Sequence, residues 1–367
     1  MKIKLREITQ YLEQIAPPAY QESYDNSGLL VGNPAMTVTG ILCSLDCVES
    51  VIDEAIAKNC NVVVAHHPII FGGLKRLTGK NYVERTVIKA IKNDIAIYAI
   101  HTNLDHVLNG VSAKIAEKIG LQNLRILAPK KQLLKKLTTF VPTAHTEKLL
   151  TALSAAGAGN IGNYTNCSFT VQGEGTFQPN EKANPHIGTA NSLEKVQETR
   201  IEVIFPSYLE GQVLSAMRKN HPYEEVAYYV HSLENENQEV GAGMLGELRE
   251  CVYPQEFLQH LKQAMQLKVI KHTQLFDKPI KRVAVCGGAG SFLLKNALSA
   301  QADVYITADY KYHEFFDAED KITIIDIGHY ESEVFTKDLL ADFLQQKFAD
   351  LPIQIASTNT NPVSYFF

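Results

Sequence analysis

Residues 62–71 read VVVAHHPIIF, a β-branched run that ends on two adjacent histidines and a proline. A short continuous apolar run of this kind describes a strand buried on both faces, the habit of parallel sheets covered by helices. Successive side chains of a strand point to opposite faces, so His66 and His67 cannot both reach one point while the strand stays regular. The pair therefore marks the strand's exit. Pro68 agrees, because it holds His67 extended and removes a ladder donor where the chain leaves the sheet.

Working outward, the segments VTGILCSL, NVVVA and DIAIYAI alternate with helical patterns at residues 48–58, 82–93 and about 110–119. This alternation predicts a mainly parallel α/β sheet. The rhythm returns near the C-terminus, where KRVAVC, ADVYIT and KITIIDI are each followed by a helical stretch. Between them lies a different cadence: LTTFVP, TEKLLTALSAA, NCSFTVQGEG, RIEVIFP, EGQVLSAMRKN and EEVAYYVHSL. Strand, helix, strand, strand, helix, strand is the order of a ferredoxin-like module. The polar residues 177–197 are expected to form an exposed excursion within it. The expected architecture is α/β: two similar α/β halves, residues 1–129 and 241–367, forming one core domain, with a ferredoxin-like βαββαβ domain inserted at residues 130–240.

Composition narrows the function classes. The chain has 367 residues, 45% hydrophobic and 20% charged, with a formal net charge of −5. That suffices for two or three domains with sizeable cores. No lysine and arginine stripe is present, so nucleic acid is not an expected partner. The N-terminus MKIKLREITQYLEQI has helical spacing without the apolar run of an export signal, and no apolar stretch is long enough to span a bilayer. Six cysteines, Cys43, Cys47, Cys60, Cys167, Cys251 and Cys286, lie scattered rather than in zinc-binding pairs. They read as reduced thiols of a cytoplasmic protein.

The sharpest signal comes from comparing the outer halves. His101-Thr-Asn-Leu-Asp105 follows one predicted strand and His329-Tyr-Glu-Ser-Glu333 follows another. Each places a histidine at a strand end and a carboxylate four residues later, a spacing that puts both on one helix face. Ligands of parallel sheets gather outside the strands' carboxyl ends, where His66 and His67 also exit. Imidazole with carboxylate and no thiolate suits Zn, Mn or Fe. The divergence of His66 from His67 lets each serve one of two metals about 3.5–4 Å apart, with Asp105 or Glu333 bridging as in two-metal hydrolytic sites. Glu333 is the better bridge, since His329 anchors the same turn. A lone histidine at a strand end is most often a hydrogen-bonded cap; the whole set, at corresponding strand ends, points to a metal.

Other residues carry two readings each. Asp25-Asn26-Ser27-Gly28 is an Asx turn, or it orients substrate or the groups around the metals. Cys286-Gly-Gly-Ala-Gly290-Ser291 suits an anion at a helix start, but a tight strand-to-helix turn is preferred because the third glycine of a dinucleotide fingerprint is missing. Asp309 and His313, in TADYKYHEF, are candidate substrate-facing acid/base groups, or simply one face of a helix. His101 is a third catalytic candidate, and both it and His106 could support a metal-bound carboxylate. His221 and the tyrosines of HPYEEVAYYV read as packing.

Taken together, DNSGLLVG, VVAHHPIIF, HTNLD and GHYESE resemble the GTP cyclohydrolase I type 2 homologue family, also called the Nif-three-like family. The resemblance spans the whole chain, and the middle segment looks like the PII/CutA-like domain of longer bacterial members. It implies a dinuclear metal site on His66, His67, Asp105, His329 and Glu333, with two divalent ions per chain, zinc foremost. It also implies a toroidal homohexamer capped by the inserted domains. The leading expectation is a metal-dependent hydrolase of a nucleotide or related phosphorylated small molecule. The alternative is a metal-binding regulatory or chaperone protein whose inserted module senses an effector.

Overall fold

The computed structural model describes residues 2–366. The first part of the chain supplies strands β1 (Gly28–Val31), β2 (Ile41–Ser44), β3 (Val62–Ala65), β4 (Ala96–Ala99) and β5 (Gln122–Lys130). The middle supplies β6 (Leu134–Pro142), β7 (Phe169–Phe177), β8 (Glu194–Pro206) and β9 (Tyr228–Leu233). The remainder forms β10 (Asn237–Val252), β11 (Lys271–His272), β12 (Ile280–Ala289), β13 (Val304–Ala308), β14 (Thr323–Asp326) and β15 (Ile353–Ile355). The chain divides into two compact units, one made of Met1–Ala128 with Val240–Phe367 and the other of Pro129–Glu239.

The larger unit is a mixed α/β structure with two sheets. One has the order β1-β4-β3-β2-β15, in which β15, β2, β3 and β4 run parallel and β1 closes the edge antiparallel. The other has the order β11-β14-β13-β12-β10-β5, with β12, β13 and β14 parallel between antiparallel neighbours β10 and β11.

The apolar runs explain these strands. Val62 and Val64 of β3 pack with Leu5, Ile8 and Leu12 of the helix Leu5–Ile15, while Val63 and Ala65 pack with Val51, Ile52 and Val87 on the opposite face. Covered on both faces, such a strand needs no polar alternation. The second sheet repeats this: Val283, Val285, Val304 and Ile306 enter one core and Ala284, Cys286 and Tyr305 another. Strands β1, β5, β10, β11 and β15 are additions to the sequence reading. Glycines at 241, 243 and 246 break the hydrophobic alternation that would have marked β10.

The smaller unit is a four-stranded antiparallel sheet of order β7-β8-β6-β9. Its two helices, Thr146–Ala155 and Glu210–Asn220, bury Leu149, Leu153, Val213 and Met217 against Leu137, Val141, Ile201, Val203 and Phe205. The polar excursion is shorter than expected. Phe177 pairs with Glu194, so β8 runs thirteen residues and takes in 194–197, leaving 178–193 as the connection. No helix among the described residues is long and apolar enough to cross a membrane.

Candidate metal centre

Four histidines and two carboxylates of the larger unit converge at the carboxyl ends of its parallel strands. His66 and His67 follow β3, and His101 follows β4 and precedes the short helix Thr102–Asp105. His329 opens the helix His329–Glu333 beyond β14. The imidazole rings stand 5.0 Å apart for His66 and His67, 5.3 Å for His66 and His101, and 5.4 Å for His67 and His329.

Each imidazole is oriented through Nδ1. His66 donates to the carbonyl oxygen of Ile100 at 2.8 Å. His67 meets Asp46 Oδ1, His101 meets Asp25 Oδ1 and His329 meets Asp309 Oδ2, each at 2.7 Å. Fixing Nδ1 selects the tautomer and aims Nε2, the usual way a protein prepares histidine for a metal. Glu333 Oε2 is the common point, 2.9 Å from His67 Nε2, 3.1 Å from His329 Nε2 and 4.0 Å from His66 Nε2.

The charges follow from these contacts. Burial pushes His66 down to about 3, so it is a neutral base at physiological pH. Burial also opposes charge on His67, but Asp46 and Glu333 outweigh it and push His67 up to about 10. The hydrogen bond to Glu333 leads in raising His329 to about 9, against its burial. Glu333 is buried, yet its bonds to His329 and His67 hold it well below the usual carboxylate range. Asp105 has no such partner; burial, and then the charge of Glu333, push it well above that range.

One feature tests the fit of a metal directly. His66 Nε2 and Asp105 Oδ1 are buried, 3.5 Å apart, and neither has a hydrogen-bond partner. With Nδ1 donating to Ile100, His66 Nε2 is a bare lone pair, and it faces a carboxylate oxygen. Two buried acceptors turned toward one another are unfavourable unless a proton or cation lies between them. Among the described residues, three groupings have ligand atoms within 4.8 Å of one another: His66, His67 and His101; His67, His329 and Glu333; and His66, Asp105 and Glu333. The residues present suit divalent cations that accept nitrogen and oxygen.

Residues 3–362 match the profile of the Duf34/NIF3 (NGG1p interacting factor 3) family. The chain belongs to this family. It is 38% identical over 363 residues to the GTP cyclohydrolase 1 type 2 homolog of Halalkalibacterium halodurans, and 37% over 365 residues to that of Bacillus subtilis, covering 98% of each chain in both cases. A solved Bacillus cereus protein related to NIF3 superimposes with a TM-score of 0.87 at 38% identity, over 100% of both chains.

Within this Duf34/NIF3 chain the structure brings together His66, His67, His101, Asp105, His329 and Glu333, with Asp309 bonded at the edge of this set. Asp309 Oδ2 is the partner of His329 Nδ1. His313 sits exposed on the turn Tyr312–Ala318, its ring 5.1 Å from Tyr312, and enters none of the groupings. His106 is buried with Nδ1 on the Tyr20 carbonyl and Nε2 3.2 Å from Glu22. His221 bonds the Phe140 carbonyl in the smaller unit.

Asp25 resolves the DNSG motif. Beyond His101, it accepts from the Thr102 backbone N–H at 3.0 Å and from the Ser27 hydroxyl at 2.9 Å. The preferred strand-to-helix turn after Cys286 falls at its last glycine: β12 continues through Gly287 and Gly288 to Ala289 with a register shift, and Gly290 caps the helical turn that opens at Ser291. Gly288 has φ 60°, and a Cβ there would lie 2.5 Å from Glu333 Oε1, so a glycine lets the carboxylate seat against the strand. Asp46 was missed by the sequence reading, although it lies just past β2 at the same edge as His66. Its other oxygen accepts from Thr360, in a C-terminal segment that Glu54 ties down through Ser357 and Thr358.

Proposed function

We propose that this chain is a dinuclear-metal protein that hydrolyses a nucleotide or a related phosphorylated small molecule. The observation that carries the reading is Glu333 Oε2, which stands within 4.0 Å of His66 Nε2 on one side and within 3.1 Å of His67 and His329 on the other. His66 with Asp105 would hold one ion, His67 with His329 the second, and Glu333 would be shared. Zinc is the foremost candidate and manganese or iron also suit these donors. Bound there, the ions would supply Lewis acidity toward a phosphoryl oxygen and lower the pKa of water.

The chain's own groups do the rest. Asp46, Asp25 and Asp309 hold the rings in orientation, so little reorganisation is needed when a substrate arrives. His101, fixed through Nδ1 by Asp25, keeps Nε2 as its remaining proton site beside His66 and His67. In this reading it would hold or move a proton at the substrate. The test is turnover of a nucleotide panel by metal-loaded protein, with Glu333→Ala as control. Release of product that depends on Glu333 supports the reading; turnover that is absent, or survives the substitution, ends it.

A second reading, a metal-binding regulator or metal chaperone with an effector-sensing ferredoxin-like, PII-like module, draws support from the smaller unit. One side of its sheet carries a cleft of about 1060 Å³ lined by Phe140, Tyr223, Tyr229, Arg200, Lys182 and His186. If this reading holds, Tyr223→Ala alters ligand-dependent metal release and leaves any turnover intact. The toroidal homohexamer and cytoplasmic setting implied by the family resemblance belong to both readings, and sedimentation tests the first of them.

A further inference from the structure

Beside the candidate metal centre, two loops expose aromatic rings that core packing does not explain. Tyr24 is 63% exposed and Phe71 52% exposed, yet they stack on each other with centroids 6.3 Å apart and planes 30° apart. Phe71 in turn meets His101 edge-on at 6.1 Å, so the pair continues directly from the imidazole cluster.

The positions of these rings are built in. Asp25, next to Tyr24, is bonded to His101 and Thr102, and Asn26 Nδ2 donates to the Ile70 carbonyl at 2.6 Å, tying the loop of Tyr24 to the root of Phe71. Beyond Phe71 the chain reads GGLKRLTGK, with Lys75 and Arg76 exposed. Among the described residues, no backbone hydrogen bond anchors 71–77, whereas Thr78 and Lys80 are fastened to Glu84. A fixed aromatic pair beside the candidate metal centre therefore carries an adaptable cationic loop.

We propose that Tyr24 and Phe71 are the stacking platform for the planar heterocycle of a nucleotide whose phosphate meets the candidate metal centre, with Lys75 and Arg76 attracting its anionic groups. This rests on the reading that a phosphorylated small molecule engages that centre. Every nucleobase presents a π-face, so the platform selects for the presence of a base more than for its identity. The loop cations add attraction that weakens with salt.

The experiment is calorimetric titration of the metal-loaded full chain with guanosine and adenosine monophosphates and with ribose 5-phosphate, which lacks the base. Wild type is expected to favour the nucleotides by about tenfold or more. Tyr24→Ala with Phe71→Ala abolishes that preference and leaves both metal content and ribose 5-phosphate affinity unchanged, while Phe71→Trp retains it. Lys75→Gln with Arg76→Gln weakens all three probes. Should the double alanine variant lose metal, Tyr24→Ala alone, whose ring contact is with Phe71, is expected to show a reduced preference. Equal binding of nucleotide and ribose 5-phosphate to wild type, or a preference that survives removal of the rings, overturns the platform and leaves the phosphate reading standing. Failure of wild type to bind any of the three overturns the nucleotide reading, and the platform with it.

Discussion

Glu333 Oε2 lies 2.9 Å from His67 Nε2, although 266 residues separate the two in sequence. Removing either group costs the other a hydrogen-bond partner. His67→Ala and Glu333→Ala are therefore expected to lower metal content per chain, with Glu333→Ala the more severe because three imidazoles converge on its carboxylate. Elemental analysis of protein purified without chelator checks this. Unchanged metal in both variants would place any bound ion elsewhere.

Asp46→Asn and Asp309→Asn keep size and most packing but remove the charge that orients His67 and His329. Each is expected to weaken metal affinity by about 10- to 100-fold. Competition with a chromophoric chelator measures it, and circular dichroism should show an unchanged fold.

Protonation gives an independent test. Without metal, His67 is pushed up to about 10 and His329 to about 9, from an ordinary value of 6.5. Both therefore carry protons at neutral pH that a metal must displace. Metal uptake should release protons below about pH 9, and the release should fade as pH rises through the two raised values. The same shifts stabilise the metal-free fold: the contribution is complete below 6.5 and is lost as pH climbs through 9 to 10. Proton release followed by pH-stat during metal addition distinguishes this from a site whose histidines are already neutral.

Gly288→Ala forces a side chain into a backbone at φ 60° and places Cβ 2.5 Å from Glu333 Oε1. The backbone strain alone costs about 1–2 kcal/mol. The displaced carboxylate should also reduce metal affinity, so thermal denaturation and metal content should fall together. A loss of stability with full metal occupancy would show that Glu333 is held by the metal rather than by its seat.

Glu54 is remote from the centre but accepts hydrogen bonds from the backbone and hydroxyls of Ser357 and Thr358. Glu54→Ala is expected to free the C-terminal segment, withdraw Thr360 from Asp46 and cost about 1–3 kcal/mol. Limited proteolysis after residue 356 reads the release directly.

The β-branched runs of β2, β3 and β4 and of β12, β13 and β14 were legible because a strand covered on both faces leaves an uninterrupted apolar record. β10 was not, since its glycines erase that record, nor was β15, three residues long, which gains its place only by pairing with β2. At the site, the strand-end histidines and the His329 to Glu333 spacing could be read because each is local. Asp46 could not be singled out: one aspartate after one strand has no signature until the imidazole it orients is known. His313, offered with Asp309 as a substrate-facing acid/base group or simply one face of a helix, lies exposed on the turn Tyr312–Ala318.

By itself, then, the sequence determined which segments become buried strands and that histidines stand at their ends. Tertiary structure decided how those ends meet. It brought residue 67 against residue 333, left His66 Nε2 and Asp105 Oδ1 facing each other without partners, and set Asp309 against His329 Nδ1. The physical reason is the range of the forces concerned. Strand and helix preferences are set by neighbours within a few residues, whereas the position of a hydrogen bond or a metal ligand depends on atoms a few ångströms apart, which only chain packing brings together.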